Sequence, residues 1–300
     1  MAIEFPTEEA VLAYLREHNN WGRWGKDDQL GAMNLITPEK RIAAARLVRS
    51  GRAVSLSRPF PKTPAPNNLN PGQHYMRIMP AAGVAVDYYG ISYHGPASTH
   101  LDALCHMWGP DGLWNGRTDA ELTTEGSKWG SIDHWISGIA TRGVLLDVER
   151  HRGTFVTQDT PVHGRELEEI AAAQGVTFEP GDALVVNCGR EAYEREVEPW
   201  SSTAGTRPGL HASCLPFIRD MDVSVLIWDM LDYLPTGYPG MSRGVHPALW
   251  NFGIGLVDNA QLDRLSSACA EEGRYEFMLT MAPLLVMGGT GSPINPVALF

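Results

Sequence analysis

Apolar and polar positions follow two rhythms along this chain, one helical and one extended. Residues 7–18 set Val11, Leu12 and Leu15 on one face, which predicts a short amphipathic helix. The stretch WGRWGKDDQLGAMN that follows has no period and reads as turns. Thr37 then stands as the cap of a second helix, with Pro38 in its first turn and Gly51 just past its end. The run AVSLS predicts a strand. Residues 59–72 are rich in proline and asparagine, and a central strand cannot lose so many N–H donors. A long loop is expected there, serving as a lid or as an arm to a second subunit.

The later chain alternates strands and helices. GVLLDV (143–148), ALVVN (183–187) and SVLIW (224–228) read as strands, the last two buried on both faces. RELEEIAAAQ (165–174) reads as a helix closed by Gly175, and residues 259–272 as another ended by Gly273. FMLTM and LLVM follow as strands. The order predicts an α/β fold with a mixed sheet. No flexible linker and no internal repeat divides the chain. One domain over 1–300 is expected, with a helical extension over about 1–50.

Composition narrows the function more than the fold. The 300 residues are 43% hydrophobic and 20% charged, which is ordinary globular usage. Acidic side chains outnumber basic ones 35 to 24, so neither nucleic acid nor an anionic membrane is an expected partner. No run is long and apolar enough to span a bilayer, and the first twenty residues lack the basic and apolar regions of a secretory signal. A cytoplasmic protein is expected. Its four cysteines are far apart and form no metal-binding spacing, so reduced core thiols are the simplest reading. Cys188, in NCGRE, is an alternative nucleophile, although its place after an apolar strand favours the core. GGTG at 288–291 lacks the residues of a phosphate loop, and no G-x-S-x-G elbow exists. The acidic runs ELEE and EREVE read as solvated helix faces.

The informative segment is HGPASTHLDALCH, residues 94–106. His94, His100, Asp102 and His106 all fall on even positions, so an extended chain turns all four to one face. If the chain turns helical after Asp102, then Asp102 and His106 still share a face. A lone histidine is usually a satisfied core or surface residue, and His18, His74, His134, His151 and His163 are read that way. Three within thirteen residues around an aspartate point to a divalent metal, one ion or two. Two imidazoles and one carboxylate leave coordination positions open for water and substrate.

These residues resemble the core motif of the cyclase family of metal-dependent hydrolases, which includes bacterial kynurenine formamidase and isatin hydrolase. THLDALCH matches the second half of H-x-G-x-H-x-D-x-x-x-H at His100, Asp102 and His106. The first histidine departs from it: the motif position holds Pro96, and His94 stands two residues earlier. The segments WGKDDQLGAMNLITPEKRIAAARLVRSG, GVHPALWNFGIGLVDNAQLDRL and PLLVMGGTGSPINPVAL also look like the longer family members.

The resemblance implies a swivelling β/β/α fold, a homodimer or homotetramer, and Mn²⁺ or Zn²⁺ as cofactor. It implies His94, His100, Asp102 and Asp258 as metal ligands, and His106 and His246 as catalytic groups. His246 and Asp258 keep the spacing of a downstream histidine and glutamate in two-metal formamidases. Asp258 also fits a helix N-cap, with Gln261 three residues on. Trp108, Trp114, Trp228 and Tyr233 flank the motifs; Trp108 and Trp228 are the preferred candidates for an aromatic substrate wall. The implied reaction is hydrolysis of an amide, lactam or lactone of a small, cyclic or aromatic substrate by metal-activated water, with His106 moving the proton. The rival enzyme is a biosynthetic cyclase or dehydratase using the metal as a Lewis acid. A third reading is a binding protein that has lost catalysis.

Overall fold

The computed structural model describes residues 3–300, so Met1 and Ala2 of the expected domain lie outside the described residues. Helix α1 (Glu8–Glu17) opens on Thr7, whose side chain accepts from the Ala10 N–H, and it buries Val11 and Leu15. Helix α2 (Pro38–Ala45) opens on Thr37 in the same way, but it stops well before Gly51.

The strands are β1 (Ala53–Ser55), β2 (Gln73–Met79), β3 (Val84–Gly90), β4 (His100–Asp102), β5 (Leu122–Thr123), β6 (Gly126–Ser127) and β7 (Ile139–Asp147). They continue as β8 (Ala183–Asn187), β9 (Val225–Trp228), β10 (Gly255–Asp258), β11 (Glu276–Met281), β12 (Gly291–Pro293) and β13 (Val297–Leu299). Between them lie α3 (Val148–Arg152), α4 (Gly164–Gln174), α5 (Arg190–Glu196), α6 (Leu215–Asp220) and α7 (Asp263–Glu272).

Nine strands form one sheet in the order β1-β13-β11-β7-β8-β9-β10-β4-β12 among the described residues. The four from β7 to β10 run parallel, and the flanking strands pair antiparallel. This is the mixed α/β sheet expected. Strands β8, β9, β10 and β4 are buried at every position, which is why β8 and β9 read as nearly continuous apolar runs. Helix α2 is tied to the sheet region by Lys40, which pairs with the buried Asp182 at 2.6 Å, while Arg142 of β7 forks onto the same carboxylate at 2.6 and 3.0 Å.

Two expected elements differ. LLVM (284–287) is an exposed loop, because Pro283 removes a ladder donor before it and Gly288–Gly289 turns the chain after it. The last helix begins at Asp263 and not at 259, because Asn259 sits in the left-handed region at φ 57°. The proline-rich segment is a loop, as its composition requires, and it lines a cavity of about 320 Å³ with residues 92–98 and 201–204. The hairpin β2–β3 stands off the body and exposes Tyr75, Met76, Ile78, Val84, Val86, Tyr88 and Tyr89.

Leu101 lies between His100 and Asp102 and points to the opposite face, fully buried. Leu101→Ala is expected to cost about 2–5 kcal/mol in a denaturant titration. A wild-type midpoint would contradict the packing described for β4.

Candidate metal centre

Strand β4 pairs with β10 so that His100 faces Asp258 and Asp102 faces Leu256. Alternation turns His100 and Asp102 to the same face. Asp102 Oδ1 lies 3.4 Å from His100 Nε2 and 3.0 Å from His94 Nδ1, and Oδ2 lies 3.7 Å from His106 Nε2. Asp258 Oδ2 lies 4.0 Å from His100 Nε2 and 3.4 Å from His246 Nε2. The ligating atoms of His94, His100 and Asp102 fall within 4.8 Å of one another, and so do those of Asp102, His246 and Asp258. Asp102 is common to both groups. His106 belongs to neither; its ring stacks on His94, with centroids 3.8 Å apart and planes 4° from parallel. A cavity of about 220 Å³ opens onto His94, His100, His106, His246 and Asp258. It lies beyond the carboxyl ends of β9 and β10, where α/β sheets commonly bind ligands.

The displaced His94 reaches the centre because the two extra residues are taken up in a turn at Pro96–Ala97. That turn is clamped from below. The fully buried Arg190 donates from Nη2 to the Pro96 carbonyl at 2.6 Å and from Nη1 to Asn259 Oδ1 at 2.8 Å. Asn259 Nδ2 donates to the Gly95 and Ser98 carbonyls at 2.8 and 3.1 Å. On its far side the His94 ring meets Thr290 Oγ1, 3.0 Å from Nε2. Gly291 is required beside it, since a Cβ there would stand 2.4 Å from the Leu101 carbonyl oxygen.

The remaining groups are held as firmly. The Ser98 carbonyl lies 2.8 Å from His100 Nδ1, which assigns the proton to Nδ1 and leaves Nε2 as the donor atom for a metal. His246 Nδ1 pairs with Asp232. The same carboxylate accepts from the Val245 and His246 backbone N–H groups and from Arg207. Trp228 donates from Nε1 to Asp258 Oδ1 at 2.6 Å. Asp258 is therefore not a helix cap: Leu262 holds the cap position of α7, and Asp258 ends β10 inside the site.

Both oxygens of Asp102 are buried and accept no hydrogen bond. Burial pushes its carboxyl above the usual range, against the pull of His100. Burial also lowers His94 to about 4, and burial with the fields of His94 and His246 lowers His106 to about 3. Burial opposes charge on His246, but Asp232 and Asp258 outweigh it and carry the imidazole up to about 10. Asp258 is held below the ordinary carboxylate range, its burial overcome chiefly by His246. A divalent cation requires neutral imidazoles and an ionised carboxylate of its ligands, so His94 is ready for one as it stands and Asp102 and His246 would have to release protons. The nitrogen and oxygen set fits one.

The aromatic expectations need correction. Trp228 is fully buried, so it holds Asp258 in place and forms no exposed wall. Trp108 is half exposed and lines a different cavity, with Leu12, Pro110 and Trp250. Trp114 is fully buried and donates to the Asp28 carbonyl. Tyr233 is half-buried. Cys188 is buried, and its thiol is pushed well above the usual range by burial, then by Asp229, so it stays protonated. The residues that sequence reasoning missed are Arg190, Arg207, Asp232, Asn259 and Thr290. Their only signal is position, at strand ends, in turns or, for Arg190, at the start of a helix.

The family described as "Putative cyclase" matches residues 54–233. Among solved structures, one described as a novel cyclase is 30% identical; the alignment covers 94% of this chain and all of that one, with a TM-score of 0.83. An isatin hydrolase bound to the product analogue thioisatinate is 15% identical over 88% of this chain and 99% of that one, with a TM-score of 0.62. Isatin hydrolase A from Ralstonia solanacearum is 15% identical over 82% and 91%, with a TM-score of 0.59. The isatin hydrolases share the fold at this distance. No curated protein matches the sequence.

Two of the groups that would face a cation, Asp102 and His246, hold protons more tightly than usual. Uptake of Mn²⁺ or Zn²⁺ should therefore release protons and weaken as pH falls. Calorimetry in buffers of differing ionisation enthalpy reads this; uptake without proton release contradicts it. Trp228→Phe should weaken metal binding about 10–100-fold as the loss of an outer partner, and Asp102→Asn should weaken it more.

Proposed function

The chain belongs to the cyclase family, and from that premise we propose that it is a metal-dependent hydrolase of a small amide, lactam or lactone. The observation that carries the reading is the pair of ligand groups sharing Asp102, set at the floor of a cavity that also exposes His106. A bound Mn²⁺ or Zn²⁺ would supply hydroxide near neutral pH and polarise the substrate carbonyl. His94, His100 and Asp102 would hold one ion. Asp102, His246 and Asp258 would hold a second, or else His246 serves as an acid backed by Asp232. His106 lies at the cavity, where it is placed to accept a proton from water and return it to the leaving nitrogen or oxygen. Its stacking on His94 fixes the ring for that transfer.

The setting of the protein is part of the same proposal. The described cysteines are all free and buried, which suits the reducing cytoplasm. No helix among the described residues is long and apolar enough to cross a membrane. The apolar hairpin β2–β3 supports a homodimer or homotetramer, because a lone two-stranded hairpin is marginal in water without a surface to pack on.

Arylformamides, isatins and aryl lactones, assayed with Mn²⁺ or Zn²⁺ and again with chelator, test the chemistry. Turnover with ¹⁸O from water in the product acid, lost on chelation, is expected. Ring closure of an open-chain substrate with no hydrolysis of any of these compounds would replace the hydrolase with a cyclase. His100→Ala should remove the metal. His106→Ala should lower kcat about 10²–10⁴-fold with metal retained. Equal metal loss in the two variants would make His106 a ligand.

A further inference from the structure

Two guanidinium groups share the cavity with the metal-binding side chains, and neither is a ligand. Arg207 is built into the wall. Its Nε donates to the Asp232 carbonyl at 2.9 Å and its Nη2 to Asp232 Oδ2 at 3.3 Å, and its guanidinium lies 5.3 Å from the centre of the Trp200 ring. Those bonds leave Nη1 as the donor they do not use. Arg243 lines the same cavity from the following loop. Its Nη1 donates to the Ser242 carbonyl at 2.8 Å, and among the described residues no carboxylate lies within ion-pair distance of it. Asp232 is already engaged by His246, Arg207 and two backbone N–H groups. Asp258 is engaged by His246 and Trp228. Neither acid is free to compensate Arg243.

We propose that Arg243, backed by Arg207, forms an anion subsite, and that the substrate carries a carboxylate separate from the carbonyl that is cleaved. This deepens the hydrolase reading and rests on the cavity being its substrate site. The chemistry favours a carboxylate. A guanidinium presents a planar fork that matches one, and a charge-assisted pair at a half-buried wall is stronger than an exposed pair. A cavity of about 220 Å³ suits a compact ligand, so the anionic group and the scissile bond belong to one small molecule. The polarity also orients the substrate. With its carboxylate at Arg243, the scissile carbonyl lies within the cavity that His94, His100 and His106 also line.

The test is binding, which needs no turnover. Metal-loaded protein is titrated by calorimetry with benzoate and butyrate, then with phthalate, isophthalate and glutarate. The monocarboxylates control for direct attachment to the metal. At least one dicarboxylate is expected to bind about tenfold more tightly than its monocarboxylate counterpart. In Arg243→Met that ratio should fall to about threefold or less, and Arg243→Lys should restore part of it. Arg243 is only partly buried and holds no structural ion pair, so both variants are expected to fold, with metal content as the check. No dicarboxylate preference in the wild type, or an equal preference in Arg243→Met, would overturn the subsite. Absence of hydrolysis with the preference intact would overturn the hydrolase reading and leave the subsite standing.

Discussion

A carboxylate without a hydrogen-bond donor is one of the least tolerable groups in a protein interior, because desolvation acts on its full charge. Asp102 is such a group, and the rest of the centre is arranged around its two oxygens. His94 and His100 face one, and His106 faces the other. Two of the neighbouring imidazoles are pushed towards the neutral form, and a third is already committed to another acid. His94 and His106 are neutral by burial, and His246 is paired with Asp232. A divalent cation bound here would supply positive charge to this carboxylate.

The sheet provides the precision this needs. Three adjacent strands deliver four of the groups: His100 and Asp102 from β4, Asp258 from β10, and Trp228 from β9. Their spacing is set by ladder hydrogen bonds, so a one-residue slip would turn every one of them to the wrong face. The groups that come from loops have their own fastenings. Arg190 and Asn259 clamp the turn behind His94, and Asp232 gathers His246 and Arg207 into one bonded unit. A buried polar network of this kind rigidifies a site when all its members are satisfied.

Much of the centre was legible in the sequence, for a physical reason. His94 to His106 lie close along the chain, so their convergence depends only on local geometry. The buried strands were legible because burial on both faces writes an unbroken apolar run. Asp258 could be read two ways, since strand end and helix cap differ only by where the helix starts, and the left-handed Asn259 delays that start. Trp228 was misread because an indole on a strand looks the same whether it meets substrate or donates to a hidden acid. Asp232, Arg190 and Asn259 left no trace because their roles arise only when distant segments meet. LLVM has the composition of a strand, but the proline before it and the glycines after it keep it out of the ladder.

The centre also spans most of the chain. His94 and Thr290, in contact across the site, are separated by nearly the whole α/β body. Strand β12, which follows Thr290, is the outer partner of β4. During synthesis the amino-terminal parts emerge first. The strand bearing His100 and Asp102 is therefore made before both of its flanking strands, β10 and β12. The contact between His94 and Thr290 cannot form until the chain has been made as far as Thr290. Earlier still, before His246 and Asp258 are made, the segment from His94 to His106 presents only part of the candidate ligand set.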